Sequence, residues 1–331
     1  MSELILGIES SCDDTAVAIV DRHGNVLSSV ISSQFEIHAK YGGVFPEFAS
    51  RAHIESIIPA VKEALSIANV LPTDLRAIGV TRGPGLVGSL IVGLNTASGL
   101  GLGWGIPVIG VNHLRGHLRS VDIESSQTQY PSIVLLVSGG HTFLAYMDST
   151  SDIKLLGSTR DDSVGEAYDK VSRMLGFGYP GGQIIDEISL KGKATIPFPR
   201  PMMNKGLDFS FSGLKSAVAR YLSDTQSLVV EDVAASFVEA VMDTLATKCR
   251  RAITNFPLTQ SLIVVGGVSA SPPLRSRIFE LCNELNIECH FPPLRWSTDN
   301  GAMIALAAWD YLDLAQIPRP IPQLQLSISE Y

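Results

Sequence analysis

Hydrophobic runs alternate with short polar turns at the start of this chain. The runs L-I-L-G-I-E, A-V-A-I-V-D and V-L-S-S-V-I-S are separated by S-S-C-D-D-T and R-H-G-N, a pattern typical of strands joined by tight turns. A comparable unit begins near residue 132, where S-I-V-L-L-V leads through S-G-G-H into T-F-L-A-Y-M-D. The repeat predicts two lobes of similar topology, each led by a hairpin whose turn faces a shared cleft.

Helical patterns alternate with further strand patterns along the rest of the chain. A-H-I-E-S-I-I-P-A-V-K-E-A-L and V-E-D-V-A-A-S-F-V-E-A-V-M-D-T-L have helical periodicity, whereas A-I-G-V-T, P-V-I-G-V and S-L-I-V-V are short apolar strands. This alternation predicts an α/β fold with parallel strands in its sheets. A chain of 331 residues corresponds to about two domains. We expect lobe I to cover residues 1–125, with a C-terminal helix of residues 299–331 returning to it, and lobe II to cover residues 126–298.

The stretch from Gly83 to Leu114 contains no Asp, Glu, Lys or Arg, and a hydropathy window within it approaches the length of a membrane span. Repeated glycines and two prolines interrupt it, so we expect a strand, a loop, a buried helix and a strand instead. Its G-P-G-L-V-G segment matches a dinucleotide-binding fingerprint, but the next strand ends in Asn112 where that motif needs an acidic residue. The pattern therefore disfavours NAD binding.

Composition and charge restrict the class of partner. With 45% hydrophobic and 18% charged residues, the chain is not a disordered tail. Its net charge of -8 means that any RNA contact needs a local basic patch, and the stretch 191–220 either follows a phosphate backbone or forms a solvated loop. Four dispersed cysteines and a start unlike a signal peptide predict free thiols and a cytoplasmic location.

His113 and His117 are four residues apart, so on a helix both imidazoles project from one face and can share a metal ion. The alternative is an ordinary helix surface, with Arg115 and Arg119 beside them. The zinc-peptidase motif H-E-x-x-H requires a glutamate after the first histidine, and Leu114 occupies that place. Peptidase chemistry therefore lacks its base.

Three glycine turns, at residues 138–141, 180–182 and 266–269, are each predicted to follow a strand. Backbone N–H groups in such turns bind phosphate oxygens, whereas the P-loop motif is absent from the sequence. Nearby acidic residues are candidates for metal, ribose or proton chemistry, or alternatively for turn formation and helix capping. They are Asp13, Asp14, Asp161, Asp162, Glu166, Asp169, Asp186 and Asp299.

A series of motifs in one order covers nearly the whole chain. They are I-E-S-S-C-D-D-T, Y-G-G-V-F-P-E-F-A-S-R-A-H, G-P-G-L-V-G-S-L, N-H-L-R-G-H, L-V-S-G-G-H-T, G-E-A-Y-D-K, Y-P-G-G, D-F-S-F-S-G-L-K, G-G-V-S-A-S and S-T-D-N-G-A-M-I-A. The series resembles the tRNA N6-adenosine threonylcarbamoyltransferase family of TsaD type, formerly described as a glycoprotease. The resemblance implies a two-lobed fold of the actin, Hsp70 and sugar-kinase (ASKHA) type, with a nucleotide and metal cleft between the lobes.

The resemblance also implies the reaction. The threonylcarbamoyl group would pass from L-threonylcarbamoyladenylate to N6 of the adenosine just 3′ of the anticodon, in tRNAs that read codons beginning with A, with release of AMP. One divalent metal, with iron favoured over zinc, would be held by His113, His117 and Asp299. The implied adenylate contacts are Leu136, Val137, Ser138, Gly139, Gly140, Asp169, Gly182, Asp186 and Ser271.

Proton removal from the amine is expected of Asp13 or Glu166. The implied partners are tRNA, a paralogous subunit of the same fold (TsaB-like) and a small P-loop ATPase (TsaE-like), with no membrane contact. Two residues depart from the family pattern. Arg115 stands where an acidic or neutral residue is usual, and Ser271 stands where asparagine is usual, which puts the adenosine contact there in question. The alternative functions are a non-catalytic scaffold subunit and a small-molecule kinase of the same fold.

Overall fold

The computed structural model describes residues 3–39, 41, 43–125, 128–314, 323, 326–328 and 330. The chain divides into two compact units. Unit 1 comprises Met1–Thr128 and Pro292–Tyr331, and unit 2 comprises Gln129–Phe291. Residues 315–322, within the predicted C-terminal helix of residues 299–331, lie outside the described residues.

The strands and helices alternate as the α/β prediction requires, and that prediction is confirmed. The strands are β1 (Leu4–Glu9), β2 (Asp14–Asp21), β3 (Val26–Ser33), β4 (Leu75–Gly83), β5 (Val108–Asn112), β6 (Ser132–Val137), β7 (Thr142–Met147), β8 (Ile153–Ser158), β9 (Ser261–Val265) and β10 (Glu288–His290). The helices are α1 (Phe35–Ala39), α2 (Pro46–Ala68), α3 (Val87–Trp104), α4 (His113–Arg119), α5 (Val164–Met174), α6 (Gly181–Ser189), α7 (Ser212–Asp224), α8 (Val230–Asn255), α9 (Pro272–Leu285) and α10 (Gly301–Trp309).

Among the described residues, each unit contains one five-stranded mixed sheet. The strand order is β3-β2-β1-β4-β5 in unit 1 and β8-β7-β6-β9-β10 in unit 2. In both sheets the first three strands of the unit are antiparallel, and the two later strands run parallel to the first. The two units therefore have the same topology, as the repeated hairpin pattern predicted.

In unit 1, both faces of the sheet are buried because successive strand residues point to opposite sides. Ile5 packs into a core with α10, whereas Leu6 packs into a second core with α2 and α3. The contact with α10 is unusually close, since a Cβ atom on Gly7 would overlap the carbonyl oxygen of Gly301. The backbone of α10 therefore lies directly on β1.

The uncharged stretch forms the end of β4, then α3, then β5, as predicted. The prediction that its helix is buried is wrong, because Val87, Ile91 and Leu102 are exposed, Leu102 by 82%. The face of α3 that packs on the sheet combines the buried Leu90 and Leu94 with small residues such as Gly93, where a Cβ atom would overlap the hydroxyl of Ser10. Within the part of the chain that the structure describes, no helix is long and apolar enough to cross a membrane.

The Pro180-Gly181-Gly182 turn does not follow a strand, so that prediction is wrong. The turn lies between α5 and α6, and Gly181 is the first residue of α6. A side chain of the preceding helix supports it, because Oδ1 of Asp169 accepts a 2.7 Å hydrogen bond from the backbone N–H of Gly181.

Candidate functional site

Three side chains of unit 1 converge beside the N-terminal ends of α4 and α10. Nε2 of His117 lies 3.1 Å from Oδ1 of Asp299, and Nε2 of His113 lies 3.7 Å from the same oxygen. One ligand atom from each residue lies within 4.8 Å of the others. Because metal bonds to imidazole and carboxylate are about 2.0–2.2 Å long, atoms that share an ion lie roughly 3–4 Å apart. The three residues form a candidate metal centre.

The end of β5 places the two histidines. Asn112 ends the strand, and its Oδ1 accepts a 2.9 Å hydrogen bond from the backbone N–H of Leu114, which caps α4. The helix begins at His113, and the four-residue spacing brings His117 onto the same face, with the ring centroids 4.8 Å apart. The predicted helical H-x-x-x-H pair is therefore confirmed as a neighbouring pair of imidazoles.

The start of α10 places the carboxylate. Asp299 immediately precedes Asn300, which caps α10 by accepting a 2.8 Å hydrogen bond from the N–H of Met303. The capping role that was an alternative for Asp299 thus belongs to its neighbour. The two helices pack closely because a Cβ atom on Gly116 of α4 would lie only 2.8 Å from Cδ1 of Ile304.

The surroundings of His117 show that these residues fit a metal ion. The residue is 1% exposed, yet neither ring nitrogen makes a hydrogen bond. Nε2 lies 3.1 Å from Oδ1 of Asp299 without hydrogen-bond geometry. A buried polar atom whose hydrogen bond is not made costs about 1–3 kcal/mol, which a cation bound at Nε2 would offset. Two imidazoles and one carboxylate are a donor set for zinc or non-haem iron(II), and they leave coordination positions open for substrate.

Negative charge surrounds the centre. Burial disfavours the charged form of His113, but the carboxylates of Glu9 and Asp299 outweigh it and raise the His113 pKa to about 9. The same pairing lowers the pKa of Glu9 despite its burial. Burial raises the pKa of the Cys12 thiol, and the carboxylates of Asp13 and Asp299 add to the effect. The anionic groups beside His113 are therefore the carboxylates of Glu9 and Asp299.

Glu9 contacts the centre, and the sequence analysis did not single it out. It ends β1 with no exposed surface, and its Oε2 lies 2.9 Å from Nδ1 of His113. The hydroxyl of Thr81 donates a 2.6 Å hydrogen bond to the same oxygen. The available signal was an acidic residue at the end of an otherwise apolar strand.

Asp13 lies in the turn between β1 and β2, in the same unit as the metal centre. It is half-buried, and its carboxylate helps to raise the pKa of both Cys12 and Asp14. The carboxylate of Asp299 also raises the pKa of Cys12 and Asp14. The structure therefore brings Asp13 into the electrostatic surroundings of the metal centre.

The predicted phosphate-binding turn belongs to unit 2. Leu136 and Val137 are buried at the end of β6, and the turn 138–140 leads into β7. Gly139 and Gly140 are exposed, and a Cβ atom on either would meet nothing within 4 Å. The turn thus presents open backbone, as phosphate binding by N–H groups requires.

Two other segments pack against this turn. The hydroxyl of Ser163, which caps α5, donates a 2.5 Å hydrogen bond to the carbonyl oxygen of Gly139, and the N–H of Gly165 donates to that of Ser138 at 3.2 Å. From the other side, a Cβ atom on Gly266 would overlap the carbonyl oxygen of Val137. The first and third predicted glycine turns are therefore neighbours, next to a helix N-terminus.

Asp186 and Ser271, two predicted adenylate contacts, also lie together in unit 2. Burial raises the pKa of Asp186, although hydrogen bonds from Ser271 and Tyr168 oppose the effect. The Tyr168 hydroxyl lies 3.2 Å from Oδ1 of Asp186. Ser271 caps α9 by accepting a 3.4 Å hydrogen bond from the N–H of Leu274. Gly182 is half-buried in the first turn of α6, with open space where a Cβ atom would be.

The remaining acidic candidates of unit 2 make structural contacts. Glu166 lies 2.6 Å from Nζ of Lys170, which also contacts Asp162 at 2.8 Å. Asp162 pairs in addition with Lys215 at 2.6 Å. Asp161 accepts hydrogen bonds from backbone N–H groups at the start of α7. Glu166 is therefore in unit 2, whereas Asp13 and the metal centre are in unit 1.

Comparisons with known proteins identify the family that this chain resembles. A model of the family "tRNA N6-adenosine threonylcarbamoyltransferase" matches residues 25–306. The chain is 47% identical over 307 residues to the tRNA N6-adenosine threonylcarbamoyltransferase of Kosmotoga olearia, and the aligned region covers 92% of each chain. It is 48% identical over 311 residues to the protein of the same name from Clostridium botulinum, which covers 92% of this chain and 91% of that one.

A solved structure is similar in fold. Component A of the (R)-2-hydroxyglutaryl-CoA dehydratase of Acidaminococcus fermentans superposes with a TM-score of 0.57 at 14% identity, which covers 94% of this chain and 100% of that one. The likeness concerns the fold alone, and it confirms the predicted fold of the actin, Hsp70 and sugar-kinase type.

Proposed function

This chain belongs to the tRNA N6-adenosine threonylcarbamoyltransferase family, and we propose that His113, His117 and Asp299 hold the metal ion used in its reaction. As a member, it is an enzyme that transfers a threonylcarbamoyl group to N6 of adenosine in tRNA. L-threonylcarbamoyladenylate as donor, the adenosine 3′ of the anticodon as acceptor and a cytoplasmic location complete the proposal. The observation that supports the metal assignment is the convergence of two imidazoles and one carboxylate.

The chemistry defines what the protein must supply. The N6 amine of adenosine is a weak nucleophile, so attack on a carbamoyl carbonyl needs a polarised carbonyl, a stabilised oxyanion and a fixed leaving phosphate. The metal, when bound, would act as a Lewis acid toward a phosphate or carbamoyl oxygen. His113 and His117 orient nitrogen donors toward that position, and Asp299 contributes the balancing negative charge.

In unit 2, the backbone N–H groups of Gly139 and Gly140 would hold the phosphate of the adenylate, whereas the N–H of Ser138 closes the turn by donating a 2.8 Å hydrogen bond to the carbonyl oxygen of His141. Support comes from the exposed glycines of this turn and from the helix N-terminus of α5 beside it. Asp186, Ser271 and Gly182 would contact the adenosine. Asp169 would act through Gly181, because it supports the first turn of α6.

Asp13 is the better of the two candidates for the proton acceptor. Glu166 is paired with Lys170, so accepting a proton would break an ion pair. Asp13 lies in unit 1 and shares its electrostatic surroundings with Asp299. We expect Asp13→Asn to lower kcat by about 100-fold or more, the usual contribution of a general base, with little effect on metal content.

The metal is proposed to be iron(II), with zinc as the alternative. Two histidines and one carboxylate with open positions are typical of non-haem iron(II), and zinc accepts the same donors. Elemental analysis of protein purified without added metal distinguishes the two ions.

The proposed protein partners are a paralogous subunit of the same fold and a small P-loop ATPase. Exposed apolar side chains on α2 and α3, among them Ile54, Ile91 and Leu102, support a subunit contact on these helices. Ile91→Glu should then weaken co-elution with the paralogous subunit in size-exclusion chromatography, while Leu258→Glu, at an exposed leucine of unit 2, should not.

Reconstitution tests the proposed function. The purified chain and its partners are incubated with unmodified tRNA, threonine, bicarbonate, ATP and the enzyme that forms the adenylate, and the nucleosides are analysed by mass spectrometry. We expect threonylcarbamoyladenosine with the parent and with His23→Ala, at an exposed histidine of unit 1, but not with His117→Ala. Full activity of a metal-free His117→Ala protein would refute the metal assignment, and inactivity of the parent beside an active relative would favour a scaffold role.

A further inference from the structure

Glu9 is the most deeply buried carboxylate near the metal centre, and the mechanism above gives it no role. It has no exposed surface, and both of its oxygens accept hydrogen bonds. Oε1 accepts from the backbone N–H of Ser11 at 2.5 Å, and Oε2 accepts from the hydroxyl of Thr81 at 2.6 Å. A buried carboxylate held from both sides has a fixed position and can fix the position of another group.

The group that it faces is the first histidine ligand. Oε2 of Glu9 lies 2.9 Å from Nδ1 of His113, on the side of the ring opposite Nε2. A carboxylate can only accept, so Nδ1 must carry the hydrogen of this bond. In the neutral ring, this leaves the lone pair on Nε2, the atom that lies 3.7 Å from Oδ1 of Asp299.

The two histidines are held differently. Nδ1 of His113 contacts Glu9 and, at 3.2 Å, the hydroxyl of Ser11, whereas neither ring nitrogen of His117 makes a hydrogen bond. Glu9 therefore acts on one ligand only, which makes its contribution separable from the rest of the centre.

The sheet of unit 1 builds this contact across three strands. Glu9 ends β1, Thr81 lies near the end of β4, and His113 follows the end of β5. β4 lies between the other two strands, and all three run parallel. The ends of parallel strands meet at one edge of the sheet, so the carboxylate reaches the histidine past β4, where Thr81 binds it.

From this geometry we propose that Glu9 is a positioning residue, which fixes the tautomer and ring orientation of His113 so that Nε2 is directed toward the metal. The inference rests on the proposed metal centre. Ligating histidines commonly donate their second ring N–H to a carboxylate, and loss of that carboxylate weakens metal binding by about 10–100-fold. Thr81 supports the arrangement by holding Glu9.

Cobalt(II) binding to the metal-free full chain tests the proposal, with visible absorption and titration calorimetry as readouts. We expect Glu9→Gln to weaken cobalt binding by about 10–100-fold and to shift its absorption bands. Thr81→Val should also weaken cobalt binding, but by a smaller factor. The matched control is Asp21→Asn, which removes a carboxylate of the same unit that accepts hydrogen bonds from Asn25 and contacts neither His113 nor His117. This control should bind cobalt as the parent does.

Four results would overturn the role of Glu9. One is parental affinity and absorption in Glu9→Gln, and a second is an equal loss of affinity in Asp21→Asn. A third is a loss as complete as that of His117→Ala, because this would make Glu9 a ligand. If Glu9→Gln does not fold, the test depends on Thr81→Val. The fourth result is a cobalt affinity of Thr81→Val equal to that of the parent. Failure of the parent to bind cobalt, or equal binding by His117→Ala, would instead refute the metal centre itself.

Discussion

Nε of Arg115 donates a 3.0 Å hydrogen bond to the carbonyl oxygen of Ile328, across 213 residues of chain. Nη1 of the same side chain donates to the hydroxyl of Tyr311 at 2.6 Å, and the guanidinium lies 5.7 Å from the centre of that ring. Arg115 is therefore turned toward C-terminal residues of unit 1. This side chain thus links α4 to C-terminal residues, while His113 and His117 lie beside Asp299.

Arg115→Ala should destabilise unit 1. The substitution leaves the carbonyl of Ile328 and the hydroxyl of Tyr311 without this partner, and removal of a buried charged donor costs about 2 kcal/mol in the free energy of unfolding. Urea denaturation measures the change. Arg22→Ala, at an exposed arginine of the same unit, should change the stability by less than about 0.5 kcal/mol. Equal stabilities of the two variants would contradict the role of Arg115.

His117→Leu should stabilise the metal-free protein or leave its stability unchanged. The imidazole is buried and neither ring nitrogen makes a hydrogen bond, so an apolar side chain of similar size removes a cost of about 1–3 kcal/mol. Loss of the 3.1 Å contact between Nε2 and Oδ1 of Asp299 offsets part of this gain. The parent should gain thermal stability when metal is added, because only the folded state has the site, and the variant should not. Thermal unfolding with chelator and with added metal measures both effects. A variant that is less stable than the parent in chelator would show that His117 is satisfied without metal.

Asp14→Asn should change how stability depends on pH. Burial raises the Asp14 pKa to about 6, the hydroxyl of Ser33 opposes this, and the charges of Asp13 and Asp299 add to it. Because an unfolded aspartate titrates near pH 4, the folded protein binds this proton more tightly. The contribution of Asp14 to stability is therefore present below about pH 4 and is lost as the pH rises to about 6.

The free energy of unfolding of Asp14→Asn, relative to that of the metal-free parent, should accordingly increase by about 2 kcal/mol between pH 4 and pH 7. Urea denaturation at the two pH values measures it. Asp21→Asn is a control for which the opposite pH dependence is expected. Despite partial burial, hydrogen bonds from Asn25 and His23 lower the Asp21 pKa. This variant should therefore be less stable than the parent at neutral pH, and the difference should disappear in acid. A difference between Asp14→Asn and the parent that does not vary with pH would contradict the prediction.

Gly7→Ala should destabilise the protein and weaken metal binding together. The added methyl group overlaps the carbonyl oxygen of Gly301, so α10 must move away from β1, at a cost of roughly 1–3 kcal/mol or more. Asp299 precedes this helix, and its distance from the histidines should increase. Gly99→Ala, in α3, where a Cβ atom meets nothing within 4 Å, should instead stabilise by up to about 1 kcal/mol. Calorimetric titration measures the metal affinity of both variants, and urea denaturation measures their free energies of unfolding.

Strand positions were predictable because buried strands leave a local signature. The three hydrophobic runs of residues 4–33 coincide with β1 to β3, and the runs near residue 132 coincide with β6 and β7. The neighbouring histidines were predictable for the same reason, since a four-residue spacing fixes their relation on a helix. The assignment of Asp299 needed the family resemblance, because it lies 182 positions beyond His117 and no local pattern links the two.

Features that depend on long-range packing were not predictable from the pattern. The sequence around Gly182 reads as a turn after a strand, but the turn depends on a side chain of α5, Asp169. The apolar composition of α3 suggests burial, yet its small residues face the sheet and Leu102 faces outward. Glu9 was missed because its partners, Thr81 and His113, are 72 and 104 residues away.

The shared strand order of the two units means that one scaffold occurs twice in this chain with different chemistry. Glu9 ends the first strand of unit 1, and Val137 ends the first strand of unit 2. The turn that follows is S-S-C-D in one copy and S-G-G-H in the other. The same frame thus carries different groups at equivalent positions: one copy buries an anion beside the proposed metal centre, and the other exposes main chain suited to an anion. Grafting residues from one hairpin turn to the other is the natural way to ask how much of that specialisation resides in so few positions.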